Sequence, residues 1–144
     1  MRRLRTFLAL PGAERRAFFE AWAWTWASLL ALRALGLSRT LRLWTQAPGA
    51  RMAGPPPRAA RWIRIAARYT PFANTCLVRS LALLGLLRRR GVPAELRVGV
   101  GRTGPQLEAH AWVELDGAPV NDAADVAARY PPFAGSLLGA RFAS

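Results

Sequence analysis

The stretch Glu108-Ala109-His110-Ala111-Trp112-Val113-Glu114-Leu115-Asp116-Gly117-Ala118-Pro119-Val120-Asn121-Asp122 decides how this chain is read. Its first part alternates with the period of a half-buried strand. Asp116-Gly117 is a hairpin signal, so Ala118 to Asp122 is expected to return as another strand. The stretch holds the only histidine of the chain and ends in a carboxylate. Register decides whether the two meet. A three-residue turn, Leu115-Asp116-Gly117 with Gly117 left-handed, sets Glu114 against Ala118, Trp112 against Val120 and His110 against Asp122. Opposed side chains on one face have Cβ atoms about 4.5–5.5 Å apart, close enough for an acid to orient an imidazole and favour its cation. A two-residue Asp116-Gly117 turn instead pairs Ala111 with Asp122 and sends the acid to the other face, leaving Asn121 as the candidate orienter. We expect the three-residue form.

On the N-terminal side of this stretch, Glu95 to Val100 alternates, with Leu96, Val98 and Val100 on one face. Gly101 to Pro105 turns the chain and Leu107 to Leu115 runs back. Before these strands, Leu77 to Leu87 reads as a mostly apolar helix that ends in Arg88-Arg89-Arg90 and Gly91, cations and then glycine as at a helix C-terminus. Asn74 or Thr75 is its N-cap, which puts Cys76 in the first turn. Unpaired N–H groups and the helix dipole favour an anion there and can hold a developing oxyanion, both of which a thiol nucleophile needs. The competing reading of Cys76 is a small buried hydrophobe. One thiol, one imidazole and one downstream acid are enough for a nucleophilic site.

The helix Arg58 to Tyr69 is basic and amphipathic, with Trp62, Ile65, Ala66 and Tyr69 inward and Arg58, Arg61, Arg64 and Arg68 outward. It follows the Pro/Gly-rich linker 47–57, whose three consecutive prolines favour an extended segment. This linker divides the chain into a helical N-terminal section, 1–57, and a core, 58–144. In the first section Pro11-Gly12-Ala13-Glu14 leads into a helix from about Arg15 to Leu37, stopped by Gly36-Leu37-Ser38 and followed by a short amphipathic piece, Arg39 to Trp44. Its uncharged run, residues 21–32, is well short of the roughly twenty that a membrane span needs. Met1-Arg2-Arg3-Leu4-Arg5 resembles the charged end of a signal peptide, but the apolar part is too short, so the protein is expected in the cytoplasm. At the other end, Asp125 to Phe133 is a short helix broken by two prolines.

At 144 residues, 52% of them hydrophobic, the chain can bury a core, which argues against wholesale disorder. A lone cysteine excludes an internal disulfide, and one Cys with one His cannot supply a zinc ligand set. The net charge is +13 and all 21 basic residues are arginine. Such a surface attracts acidic partners. The rival reading is therefore an arginine-rich nucleic-acid-binding module without catalysis, with Arg58 to Arg68 and Arg88 to Arg90 as its footprint. A second rival is a membrane-associated helix using Trp22, Trp24 and Trp26 as an interfacial belt. Neither explains why Cys, His and Asp follow in triad order.

That order resembles the transglutaminase-like branch of papain-type folds. More narrowly, Cys76-Leu77-Val78-Arg79-Ser80-Leu81-Ala82-Leu83-Leu84, the Arg-Arg-Arg-Gly-Val run, and His110-Ala111-Trp112-Val113-Glu114-Leu115-Asp116-Gly117 with Asn121-Asp122 are similar to lasso-peptide leader peptidases of the microcin-processing protease family. The resemblance implies an α+β fold, a Cys-bearing helix packed on a small antiparallel sheet and preceded by helices. It implies Cys76 as nucleophile, His110 as general base and acid, and Asp122 as the orienting acid. The substrate it implies is a ribosomally made precursor peptide, and the partners are a separate small leader-recognition protein and a lasso cyclase, without nucleic acid or a transmembrane span. Some family members act with ATP; no phosphate-cradling Gly-rich loop is present, and no directly bound cofactor is expected. Trp112 either shields the His–Asp pair or is a core aromatic, and Glu108, Glu114 and Asp116 are expected to be solvated.

Overall fold

The computed structural model describes residues 9–46 and 55–133. The linker's first part, the Met1 to Leu8 segment and the residues after Phe133 lie outside them. Helix α1 runs Gly12–Gln46, α2 Pro56–Ala67 and α3 Cys76–Arg89. Strands β1 Glu95–Thr103, β2 Gln106–Leu115 and β3 Ala118–Pro119 follow, then helix α4 Val126–Arg129. The sheet is antiparallel in the order β1-β2-β3. The fold is α+β, and α3 is its axis, packed against α1, α2 and the sheet. A helix buried on so many sides must be apolar around most of its circumference. Val78 and every residue from Ser80 to Leu87 are buried accordingly.

The N-terminal helix is bent where the sequence places its end. Gly36 alone leaves helical geometry, at φ 74° and ψ 173°, and joins two helices across a kink. A left-handed residue here is cheap only for glycine. The core crosses the linker: Ala21 and Leu41 of α1 belong to one cluster with Trp62 and Ile63 of α2, Leu81 to Leu84 of α3, and Val113 of β2. Glu14 ties the helices at one end, accepting from Arg58 Nη2 at 2.6 Å and from Trp62 Nε1 at 2.9 Å. Glu20 receives Arg90 at 2.7 Å at the other.

Several element bounds differ from the sequence reading. Pro55 is extended as expected, but Pro56 and Pro57 open α2 rather than prolonging the linker. The first helical turn needs no N–H from them, and the fixed φ of proline suits it. Because α2 stops at Ala67, Tyr69 lies past its end and is 57% exposed, whereas Ile63 takes the buried place expected of it. Strand β1 continues to Thr103, so the turn shrinks to Gly104-Pro105. The last helix covers only Val126–Arg129, and the chain after it pairs with the free edge of β1. Val100 N–H donates to Pro131 O, and Phe133 N–H to Val98 O at 3.1 Å. The strand expected over Ala118 to Asp122 ends at Pro119.

Candidate active site

The helix wall of the site follows from local rules. Thr75 has extended backbone, and its hydroxyl oxygen accepts the Val78 N–H at 3.3 Å, a side-chain N-cap. Cys76 is thereby the first residue of α3, a half-buried free thiol. Its N–H is one of the donors that a helix start leaves without an intrahelical partner. The thiol borders a cleft of about 400 Å³ that is also lined by His110 and Asp122 from the sheet side, and by Arg61 and Arg64 from α2.

The hairpin wall corrects the expected register. Asp116 and Gly117 both have positive φ, 51° and 78°, and Leu115 pairs with Ala118. This is a two-residue turn of the type that matches strand twist. Continued as a regular ladder, it sets Asp122 beside Ala111 and away from His110. The ladder does not continue. Val120 N–H donates to Val113 O at 2.8 Å, but the return bond is made by a side chain: Val113 N–H donates to Asn121 Oδ1 at 2.8 Å. Asn121 Nδ2 donates to Ser80 Oγ at 3.0 Å, and that hydroxyl donates to Ala111 O at 2.9 Å. With the amide side chain standing in for main chain, the backbone is freed from the two-residue alternation. Asp122 Oδ2 reaches His110 Nε2 at 2.6 Å. Asn121 is thus a strut between sheet and helix, and the acid beside the imidazole is Asp122.

Both oxygens of Asp122 are engaged, since Oδ1 accepts the Ala123 N–H at 2.8 Å and lies 3.4 Å from Arg129 Nη2. Partial burial raises its pKa. The hydrogen bonds from His110 and Ala123, with the charges of His110 and Arg129, outweigh that and hold the carboxyl below its ordinary range. The Asp122 contact uses Nε2, so Nδ1 is the second ring nitrogen of His110. Tyr130 lies tilted over the imidazole with ring centroids 4.7 Å apart, and Trp112 is stacked on it at 6.3 Å. Gly99 is the β1 residue paired with His110, and a Cβ there would strike the Tyr130 and Pro131 carbonyls. Glycine lets the chain pass closely enough to bring the Tyr130 ring to His110. Trp112 itself is fully buried and donates to Glu114 at 2.8 Å.

Residues 19–134 match the family model described as Transglutaminase-like superfamily. The chain belongs to that superfamily. Comparison with curated proteins and with solved structures returned no match. The superfamily match starts inside α1 and ends just past the segment that pairs with β1, so it takes in all of the cleft described above. The superfamily includes cysteine peptidases, and a Cys-bearing helix on a small antiparallel sheet is the arrangement found here.

Within this superfamily fold, three residues around the cleft went unrecognised in the sequence. Ser80 carried a signal, being the one hydroxyl in an apolar helical run; buried there, it must find polar partners, and Asn121 and Ala111 supply them. Tyr130 carried none, because the pairing of the following residues with β1 brings it to His110, and Arg129 carried none, because it folds back on Asp122 seven residues before it. Glu114 is a correction: rather than being solvated it is nearly buried, accepting from the Trp112 indole and, at 2.9 Å, from Arg97. Burying the indole leaves its N–H in need of an acceptor, and Glu114 is two residues on along the same strand. Glu108 and Asp116 are exposed. Among the described residues no cluster of His, Cys, Asp or Glu could hold a metal ion, and no helix is long and apolar enough to cross a membrane.

Proposed function

We propose that this chain is a cysteine peptidase that removes the leader from a ribosomally made lasso-peptide precursor, through Cys76, His110 and Asp122. The observation that carries a cysteine-nucleophile reading is the 2.6 Å His110–Asp122 pair lining the same cleft as a thiol at a helix start. The narrower substrate rests on the motif resemblance around Cys76 and His110. On this reading the enzyme works in the cytoplasm beside a separate leader-recognition protein and a cyclase.

The chemistry has two halves. His110, held by Asp122, takes the thiol proton, and the Cys76 sulfur attacks the carbonyl carbon at the leader–core junction. The carbonyl oxygen becomes an oxyanion that the Cys76 N–H faces. As the C–N bond breaks, the His110 proton goes to the leaving amine and frees the core peptide. Water, deprotonated by His110, then attacks the thioester carbon. The leader leaves with a new carboxylate, and the thiol is restored.

Cys76→Ala is expected to reduce precursor cleavage at least about a thousandfold, the scale on which losing a covalent nucleophile is felt. Circular dichroism and chemical denaturation of the variant should match the parent. Persistent cleavage by the folded variant overturns the mechanism, whereas cleavage that depends on Cys76 but spares every lasso precursor overturns the substrate.

A further inference from the structure

The sequence leaves most of its arginines to a general surface charge, but their placement is uneven. Arg58, Arg90, Arg97 and Arg129 each have a carboxylate of the chain within 4 Å. Arg61, Arg64 and Arg79 line the cleft, and among the described residues no carboxylate pairs with any of them. Among the described residues Asp122 is the sole acid lining the cleft, and it is held by His110 and Arg129.

Arg79 is the most telling of the three. It stands three residues after Cys76 on α3, which puts both on one side of the helix. It is half-buried, and a cation so near a helix N-terminus gains nothing from the dipole. A guanidinium losing water and facing the wrong end of a dipole, with no acid to offset either cost, is poorly explained by folding alone. Arg61 and Arg64 line the same cleft from α2 as exposed residues, Arg61 over the Trp62 ring at 5.5 Å. Ile63, Leu83 and Val120 line the same cleft.

We propose that Arg61, Arg64 and Arg79 form a carboxylate subsite beside the nucleophile, so that the substrate peptide carries an acidic side chain within a few residues of the bond that is cut. This substrate assignment rests on the peptidase reading above. Apolar lining in a cleft that also holds guanidinium groups suits a carboxylate on an aliphatic stem, as in glutamate. Planar guanidinium groups bind such an acid by paired N–H donors, and the cleft's unbalanced positive charge raises its local concentration. A cleft of about 400 Å³ has room for a few side chains next to the thiol.

Cys76 is the only cysteine, which gives a direct test on the intact protein. Its alkylation by iodoacetate and by iodoacetamide is followed by mass, thiolate displacing iodide in both cases. Relative to a free thiol in the same buffer, the iodoacetate-to-iodoacetamide rate ratio should be raised about tenfold, the weaker end of what a charge-assisted contact gives. Arg79→Gln should remove most of that preference, Arg64→Gln part of it, and Arg79→Lys should keep more than Arg79→Gln. N-acetylglutamate amide should slow the iodoacetate reaction more than N-acetylglutamine amide does. A ratio equal to that of the free thiol, a ratio unchanged in Arg79→Gln, or protection by a single-stranded oligonucleotide but not by the glutamate compound overturns the subsite. A second arm uses internally quenched peptides spanning the precursor junction, differing only in Glu or Gln at one position. The Glu peptide should show about a tenfold lower KM, with kcat little changed, and Arg79→Gln should erase the difference. Equal KM values in the parent enzyme overturn the acidic-substrate assignment. No cleavage of either peptide, with the alkylation preference intact and arginine-dependent, counts against the peptidase reading and leaves the anion subsite standing.

Discussion

The two walls of the cleft are built by different kinds of contact. On the helix wall everything that places Cys76 lies within a few residues of it: Thr75 caps, Val78 donates, and the apolar run behind them buries the helix. On the hairpin wall Asp122 is placed by contacts that cross between strands and reach over to the helix. Its turn has the register that alone would turn it from His110, and it reaches the imidazole because Asn121 leaves the ladder to bridge Val113 and Ser80. One wall is a consequence of local capping, the other of a side chain that substitutes for backbone. They should therefore fail separately.

Asn121→Ala should show that separation most visibly. It leaves the Val113 N–H and the Ser80 hydroxyl each short of a partner in a largely buried place, at about 2–3 kcal/mol. Denaturant melts should show that loss, and precursor cleavage should fall with it as Asp122 loses its bend. A cost below about 0.5 kcal/mol would mean that the hairpin holds its shape without the strut. The helix wall should register little: the folded variant's Cys76 should react with neutral iodoacetamide within about twofold of the parent, since the thiol's own surroundings are local.

Thr75→Ala tests the other wall and should cost about 1 kcal/mol, the usual worth of an N-cap hydroxyl, with Thr75→Ser recovering most of it. The iodoacetamide rate at Cys76 should change here, in contrast to the Asn121 variant. If Thr75→Ala is as costly as Asn121→Ala, or leaves the Cys76 rate untouched, the helix wall does not depend on its cap as described.

The same division explains what the sequence made legible. Helix α3, its cap and the position of Cys76 were readable because capping, apolar runs and terminal cations act over three or four residues. The kink at Gly36 and the Asp-Gly turn were likewise visible as punctuation. The turn type was not, since Asp116 adopts φ 51° and completes a two-residue turn where a left-handed Gly117 alone would suit the longer one. His110 and Asp122 were expected to meet and do meet, but by another route than the one expected. Nothing local announces that Val113 N–H will be taken by Asn121 Oδ1 rather than by a strand carbonyl, or that residues 130–133 will pass along β1 and bring Tyr130 to His110. Those contacts join segments that meet only in the folded sheet.

Asp122→Asn should have the smallest effect on stability and so isolates the pair from the scaffold that delivers it. The side chain keeps its size, and the ion pair it replaces is partly open to water, so the neutral-pH cost should stay below about 1 kcal/mol. The pH dependence carries the information. Contacts with His110, Ala123 and Arg129 hold the folded-state pKa of Asp122 below its ordinary value despite the opposing effect of burial. Its ionised form therefore contributes stability that is fully present above the ordinary carboxylate range. That contribution is lost as the pH falls through this range and past the depressed folded value. The stability gap between parent and Asp122→Asn should be constant at higher pH and close on acidification through that window. A gap that stays open in acid would assign the cost to shape rather than charge. Activity should fall far more than stability, by at least about a hundredfold, because an amide orients imidazole in the wrong tautomer as readily as in the right one. Equal small losses in both would leave Asp122 as one more strut, like its neighbour Asn121.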